Sequence, residues 1–259
     1  MNAHEQALWR AILEEPGTIA PRLALATRWG GPRERFVRAQ IEASDLMRAG
    51  RSYARPWSEA ERLLNGNERA WAGDVADRVA AFRFLRGFVE WVVVDAAVFA
   101  RDWKQLFDCA PIRHIDVAGI GDAIDTFFAC EGLESIIGLS FNLYGTPHNT
   151  SLLRDRGARA LAACSHLRRL RYLDVRHNAI GEDALADLTR SHHLAGLDVG
   201  FIDANAILDL REDVVQDYDG TITEIRPNEA LYRFEQQHGA CKWLHAYERR
   251  GRRVLREEL

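Results

Sequence analysis

The stretch that most constrains this chain is Leu170-Arg171-Tyr172-Leu173-Asp174-Val175-Arg176-His177-Asn178-Ala179-Ile180-Gly181. It reads L-x-x-L-x-V-x-x-N-x-I-G and runs on into a helical pattern through Ala184, Leu185 and Leu188. A strand and a helix of this length leave one apolar side uncovered, so the unit must stack on copies of itself. Copies can be found. Aligned on the motif, strands start at Phe88, Ile112, Ile136, Leu170 and Leu194, spaced 24, 24, 34 and 24 residues apart. Three residues after each start lie Trp91, Ile115, Leu139, Leu173 and Leu197; five after lie Val93, Val117, Phe141, Val175 and Val199. Before each later strand, Trp103, Phe127, Leu161 and Leu185 form one helical column, and Leu106, Cys130, Cys164 and Leu188 another.

This pattern resembles the leucine-rich repeat, and Gly157-Ala158-Arg159-Ala160-Leu161-Ala162 is similar to the helices of ribonuclease-inhibitor-like repeats. The implied fold is an α/β leucine-rich-repeat solenoid, with a parallel concave sheet and convex helices. The motif's asparagine occurs in this alignment only as Asn178; Ala96, Ile120, Tyr144 and Ile202 fill the other copies. One repeat is ten residues longer, with the extra length around Tyr144 to Ser151. Insertions of this kind map to loops on one face, where binding often happens.

The first fifty residues read as helices over 4–15, Arg22 to about Trp29 and Arg33 to about Ala49, broken at Pro16-Gly17, Gly30-Gly31-Pro32 and Gly50. The residues Ala11-Ile12-Leu13, Pro16, Pro21-Arg22-Leu23, Ala26, Trp29, Arg35, Phe36, Arg38 and Gln40 resemble the short helical repeat-companion domain. That domain precedes leucine-rich repeats in many myxobacterial and planctomycete proteins, so the resemblance implies a bacterial interaction protein. The expected organisation is a helical repeat-companion domain over 1–50, a connector and helix over 51–83, repeats over 84–202 and a C-terminal cap over 203–259. Within these, 68–83 is expected to be helical, with Trp71, Val75 and Val79 four residues apart. Gly220 to Arg226 alternates like a strand that extends the sheet, and a helix is expected after Pro227.

Side chains alternate sides along a strand, so residues between the core columns should line the open concave face. These include Glu90, His114, Asp116, Ser140, Asn142, Tyr172, Asp174, Arg176 and Asp198. With strands about 5 Å apart, Asp174 and Asp198 should be near neighbours. The expected partner-binding surface is His114, Asp116, Ser140, Asn142, Tyr172, Asp174, Arg176 and Asp198, closed on one side by loop residues Tyr144, His148 and Asn149. The function implied is a non-catalytic scaffold for a protein or peptide. The alternative is an enzyme or enzyme accessory using His114, Asp116 and Asp174 as acid–base groups on the same floor.

Other chemistry is thinly supported. The net charge of −4 disfavours a nucleic-acid partner, although Arg168-Arg169-Arg171 and Arg249-Arg250-Arg252-Arg253 are local basic clusters. No run is apolar enough to span a membrane, and the N-terminus lacks a secretion-signal layout, so a cytoplasmic protein is expected. Four scattered cysteines suggest neither a zinc ribbon nor a disulfide framework, and Cys130 and Cys164 fall in core columns. No metal or cofactor is expected: His192-His193 precede a strand and should diverge rather than chelate. Asp217-Tyr218-Asp219-Gly220-Thr221 reads as a hairpin turn rather than a phosphatase-like opening.

Overall fold

The computed structural model describes residues 2–202, 205, 213–216, 222–226 and 229–243. The protein is α/β, with a mostly parallel sheet of six strands in chain order. It divides into two compact units, one ending at Asp116 and the other beginning at Val117.

The first unit opens with helix α1 (Ala3–Glu14), fixed by a capping box in which Asn2 accepts from the Glu5 amide and Glu5 accepts from the Asn2 amide. Helices α2 (Ala20–Trp29) and α3 (Gly31–Arg48) follow. The join needs Gly30 at φ 64° and Gly31 at φ 57°, a left-handed turn that side chains rarely adopt. Helices α4 (Ala54–Leu64) and α5 (Glu68–Ala72) complete the helical part.

The helix expected over 68–83 stops at Ala72, and Ala81–Leu85 is instead strand β1. Gly73 takes φ 63° and ends α5, and Phe82-Arg83-Phe84 has strand alternation that outweighs the i, i+4 pattern. Strand β1 pairs antiparallel with β2 (Phe88–Asp95) through the two-residue turn Arg86-Gly87, both at positive φ. That is the turn geometry whose twist matches a hairpin. Between the pairs Arg83↔Trp91 and Phe84↔Val89, Glu90 is the extra residue of a bulge.

Phe36 packs on Trp71 and Phe84, with centroids 5.1 and 5.4 Å away, and Phe88 lies between Trp9 and Trp29. Arg33 stacks over both Trp29 and Trp71; its burial lowers it to about 10. Asp95 then caps α6 (Ala96–Cys109) by accepting from the Ala97 and Val98 amides. Strand β3 (His114–Ala118) carries the chain into the second unit.

The second unit alternates α7 (Ile120–Phe128), β4 (Gly138–Ser140), α8 (Arg154–Ala163), β5 (Tyr172–Asp174), α9 (Glu182–Arg190) and β6 (Val199–Phe201). Its core columns are buried: Leu139, Phe141, Leu173, Val175, Leu197 and Val199 from the strand segments, Phe127, Leu161, Leu185 and Leu188 from the helices, and Cys130 and Cys164 just after theirs. Strands β4 and β5 pair in parallel as Gly138↔Tyr172 and Ser140↔Asp174, the alignment the motif gives. Strands β5 and β6 do not follow it. Tyr172 pairs with Val199 and Asp174 with Phe201, a step of 27 residues where 24 was expected.

The reason is Asn205. Its side chain donates to the Val175 and Ile202 carbonyls and accepts from the Asn178 and Ile180 amides. Asn178 does the same job one turn earlier, donating to the Phe141 and Arg176 carbonyls. The asparagine missing from the 24-residue alignment therefore lies three residues further on.

Strands β7 (Asp213–Gln216) and β8 (Ile222–Arg226) form a separate antiparallel pair, so the strand expected to extend the main sheet pairs elsewhere. The turn expected at Asp217–Thr221 lies outside the described residues, as do much of 203–259 and the basic stretch from Arg249. Helix α10 (Glu229–His238) is followed by Trp243, whose ring lies where a Cβ on Gly200 would be, 2.3 Å away. No helix among the described residues is long and apolar enough to cross a membrane.

Candidate functional site

In the second unit the predicted residues gather around Asp174. The residue is 3% exposed, at the C-terminal end of β5. Asn142 Nδ2 donates to its Oδ2 at 3.3 Å and the Tyr172 hydroxyl to the same oxygen at 3.4 Å. Arg176 closes the group: its amide donates to Oδ1 at 3.1 Å, its Nε to both oxygens and its Nη2 to Oδ2 at 2.6 Å. The fork on a buried carboxylate is geometrically selective and strong. Arg176 also lies over the Phe201 ring, 4.8 Å from its centroid, and Tyr172 packs on that ring at 5.6 Å. Ser140 is buried, and its hydroxyl accepts from the Asn142 amide.

Tyr144 is 68% exposed, yet its ring stacks on His177, the neighbour of Arg176 in the chain, at 4.3 Å and 16°. His177 and Ala179 take left-handed backbone, φ 57° and 52°, bracketing the buried Asn178. The long loop is tied down further along: the Gly119 amide donates to the Thr150 hydroxyl and the Gly121 amide to the Ser151 hydroxyl. Asn149 and Thr150 line an open cleft of about 640 Å³ with Asp122, Arg154 and Arg156. His148 sits half-buried in the same loop, its amide on the Thr146 hydroxyl.

Two expectations are corrected here. Asp198 is exposed and stands outside the cluster, because the 27-residue step puts Phe201 opposite Asp174. Asp174 is not an open acidic group but the buried counter-ion of Arg176.

The first unit holds the other predicted residues. Asp116 accepts from Trp91 Nε1 at 3.1 Å, and Trp91 lies under the Arg83 guanidinium. The bulge at Glu90 explains why a tryptophan expected in the core meets a residue of the expected open face. Glu90 itself, placed on that face by the alignment, is fully buried and pairs with Arg22 at 2.8 Å and with Arg86. Burial lowers Arg22 to about 10, with Glu90 opposing the shift and Arg86 adding to it.

His114 is 5% exposed rather than solvated. Burial, then Arg113 and Arg86, push its imidazole down to about 3. His114 therefore lies in the buried interior rather than on an open floor. The thiols of Cys130 and Cys164 are likewise pushed up by burial, as core positions require. Among the described residues no three His, Cys, Asp or Glu side chains are grouped to hold a metal ion.

Reasoning from sequence missed Asn205 and His177. The signal for Asn205 was present, since Asn178-Ala179-Ile180 recurs as Asn205-Ala206-Ile207. His177 carried none, because its role depends on Tyr144 from another turn. No family model matches the chain, and no curated protein or solved structure matches it significantly. What the fold defines is the class: an α/β protein built on a mostly parallel sheet.

Proposed function

We propose that this chain is a leucine-rich-repeat scaffold of the cytoplasm that binds a protein or peptide and performs no reaction of its own. The repeat reading is supported by the paired asparagines, each tying its turn to the strand behind it. The cytoplasmic reading is supported by four cysteines that form no disulfide.

The observation that carries the binding reading is Tyr144. An aromatic ring that is 68% exposed and already held by a stacked imidazole loses little freedom when a partner covers it. Asn142, two residues before Tyr144, and Arg176, next to His177, are fixed with Tyr172 by Asp174 before any partner arrives. The binding edge is therefore the end of β4 and β5 rather than a row of free aspartates.

The test is quantitative capture from native lysate with wild type, Tyr144→Ser and Asp198→Ala. Tyr144→Ser should lose a partner that Asp198→Ala retains, with the melting temperatures of all three alike. Retention of the same proteins in the same amounts by Tyr144→Ser would refute the reading.

A further inference from the structure

The basic cluster Arg168-Arg169-Arg171 has no part in the surface described above. It follows the short 3-10 turn Ser165–Leu167, and a second such turn, His192–Leu194, lies beside it in the same unit. All three arginine side chains are exposed. Arg171 Nη1 donates to the Gly196 carbonyl at 2.8 Å, which lays its guanidinium along the second turn. His192 and His193 do not diverge as expected: in a 3-10 turn their rings come together, 3.8 Å between centroids. Burial, His192 and Arg168 together lower His193, and its Nδ1 has no hydrogen-bond partner among the described residues.

The neighbouring 3-10 turn, Glu131–Ser135, carries two exposed glutamates, Glu131 and Glu134. Glu134 is engaged by His166 at 2.9 Å. Asp198 is exposed, with its amide donating to the Arg171 carbonyl. Among the described residues none forms an ion pair with Arg168, Arg169 or Arg171. Three exposed guanidinium groups therefore face solvent on a chain whose net charge is −4.

We propose that these two turns are a docking surface for an acidic segment of a partner protein, read by Arg168 and Arg169 with Arg171 and the histidine pair framing it. Guanidinium forks match carboxylates two bonds at a time, which favours glutamate and aspartate side chains over a diffuse anion. A nucleic acid fits less well. The patch is a few residues wide, tryptophan, tyrosine and phenylalanine are absent from 165–169 and 192–194, and the rest of the chain repels a long polyanion. The surface is separate from Tyr144, so it stands or falls independently of the edge proposed above.

The test is fluorescence anisotropy with a labelled deca-glutamate peptide, using the whole chain. Saturable binding is expected at low salt, weakening as the ionic strength rises. Arg168→Glu with Arg169→Glu should weaken it by about tenfold or more, as reversing rim charges does, while Tyr144→Ser binds as wild type. Both arginines are exposed, so the double variant should keep its melting temperature. The proposal is overturned by no saturable binding to wild type, by equal binding to the double variant, or by tighter binding of a labelled oligothymidylate than of the peptide.

Discussion

Asn178 offers the sharpest test of how the second unit is held together. It is fully buried. Its Oδ1 accepts from the Leu153 amide at 2.9 Å, and its Nδ2 donates to the Phe141 carbonyl at 3.1 Å and the Arg176 carbonyl at 2.7 Å. The Phe141 carbonyl keeps a second donor in the Leu143 amide, so its loss is partial. Asn178→Ala strands the amide of the buried Leu153 and takes one donor from the Arg176 carbonyl. At about 1–3 kcal/mol for each buried group left unpaired, the cost is roughly 3 kcal/mol. That corresponds to a fall in melting temperature of about 10 °C for a unit of this size. Asn178→Asp decides between hydrogen bonding and mere space filling. The aspartate has the same shape and still accepts from Leu153, but its carboxylate would face two carbonyls. It should cost at least as much as alanine at neutral pH. Urea unfolding followed by circular dichroism measures both, and hydrogen exchange at Leu153 locates the effect. An aspartate variant within about 1 kcal/mol of wild type would refute the reasoning.

Two further expectations concern the first unit. His114 is held near 3 in the folded protein against about 6.5 unfolded, so below 6.5 the unfolded chain binds the extra proton. Stability is full above that value and is lost as the pH falls, by roughly 2 kcal/mol at pH 5. In His114→Gln this component of the acid loss disappears, and parallel urea midpoints for the two proteins between pH 7 and 5 would contradict it. Glu90→Gln removes the charge facing the buried Arg22 and should cost about 3 kcal/mol. Arg22→Met with Glu90→Leu should recover most of that, measured again by denaturant unfolding; a double variant less stable than Glu90→Gln alone would show that the pair is worth more than its desolvation cost.

The fold was legible where a residue's role is set by its own neighbours. The core columns at Leu139, Leu173, Leu161 and Leu185 are buried because strand and helix periods alone dictate which side is apolar. What failed was phase. A fixed step of 24 residues put Ile202 where Asn205 belongs, although the repeated N-A-I gave the true step of 27. In the same way the bulge at Glu90, one residue unpaired in the ladder, turned Trp91 towards Asp116. The candidate site shows the same limit. Asn142, Tyr172, Asp174 and Arg176, all expected on one face, meet because they lie at or just past the ends of two paired strands. That Asp174 would be consumed by Arg176 was not readable, since an i, i+2 pair in a strand can point to solvent or close on itself, and packing of Phe201 decides which.

Several residues of the N-terminal helices have a mechanical role in this structure. Arg22 donates to the Pro16 carbonyl at 2.6 Å and reaches Glu90 in β2. Gln40 donates to the Phe84 carbonyl at 3.1 Å and accepts from the Gly87 amide at 2.7 Å, bracketing the β1–β2 turn. A Cβ on Gly87 would lie 2.6 Å from Val37, so α3 presses on that turn too closely for any other residue. Arg22, Val37 and Gln40 thus converge on one hairpin. A hairpin alone is marginal in water, and a fifty-residue helical module is too small for a robust core. Each supplies what the other lacks: the helices offer Phe36 and Trp29 to cover Phe84 and Phe88, and the turn offers backbone groups to Gln40. The spacing of Arg22 and Gln40 along the helices suits the width of this two-residue turn.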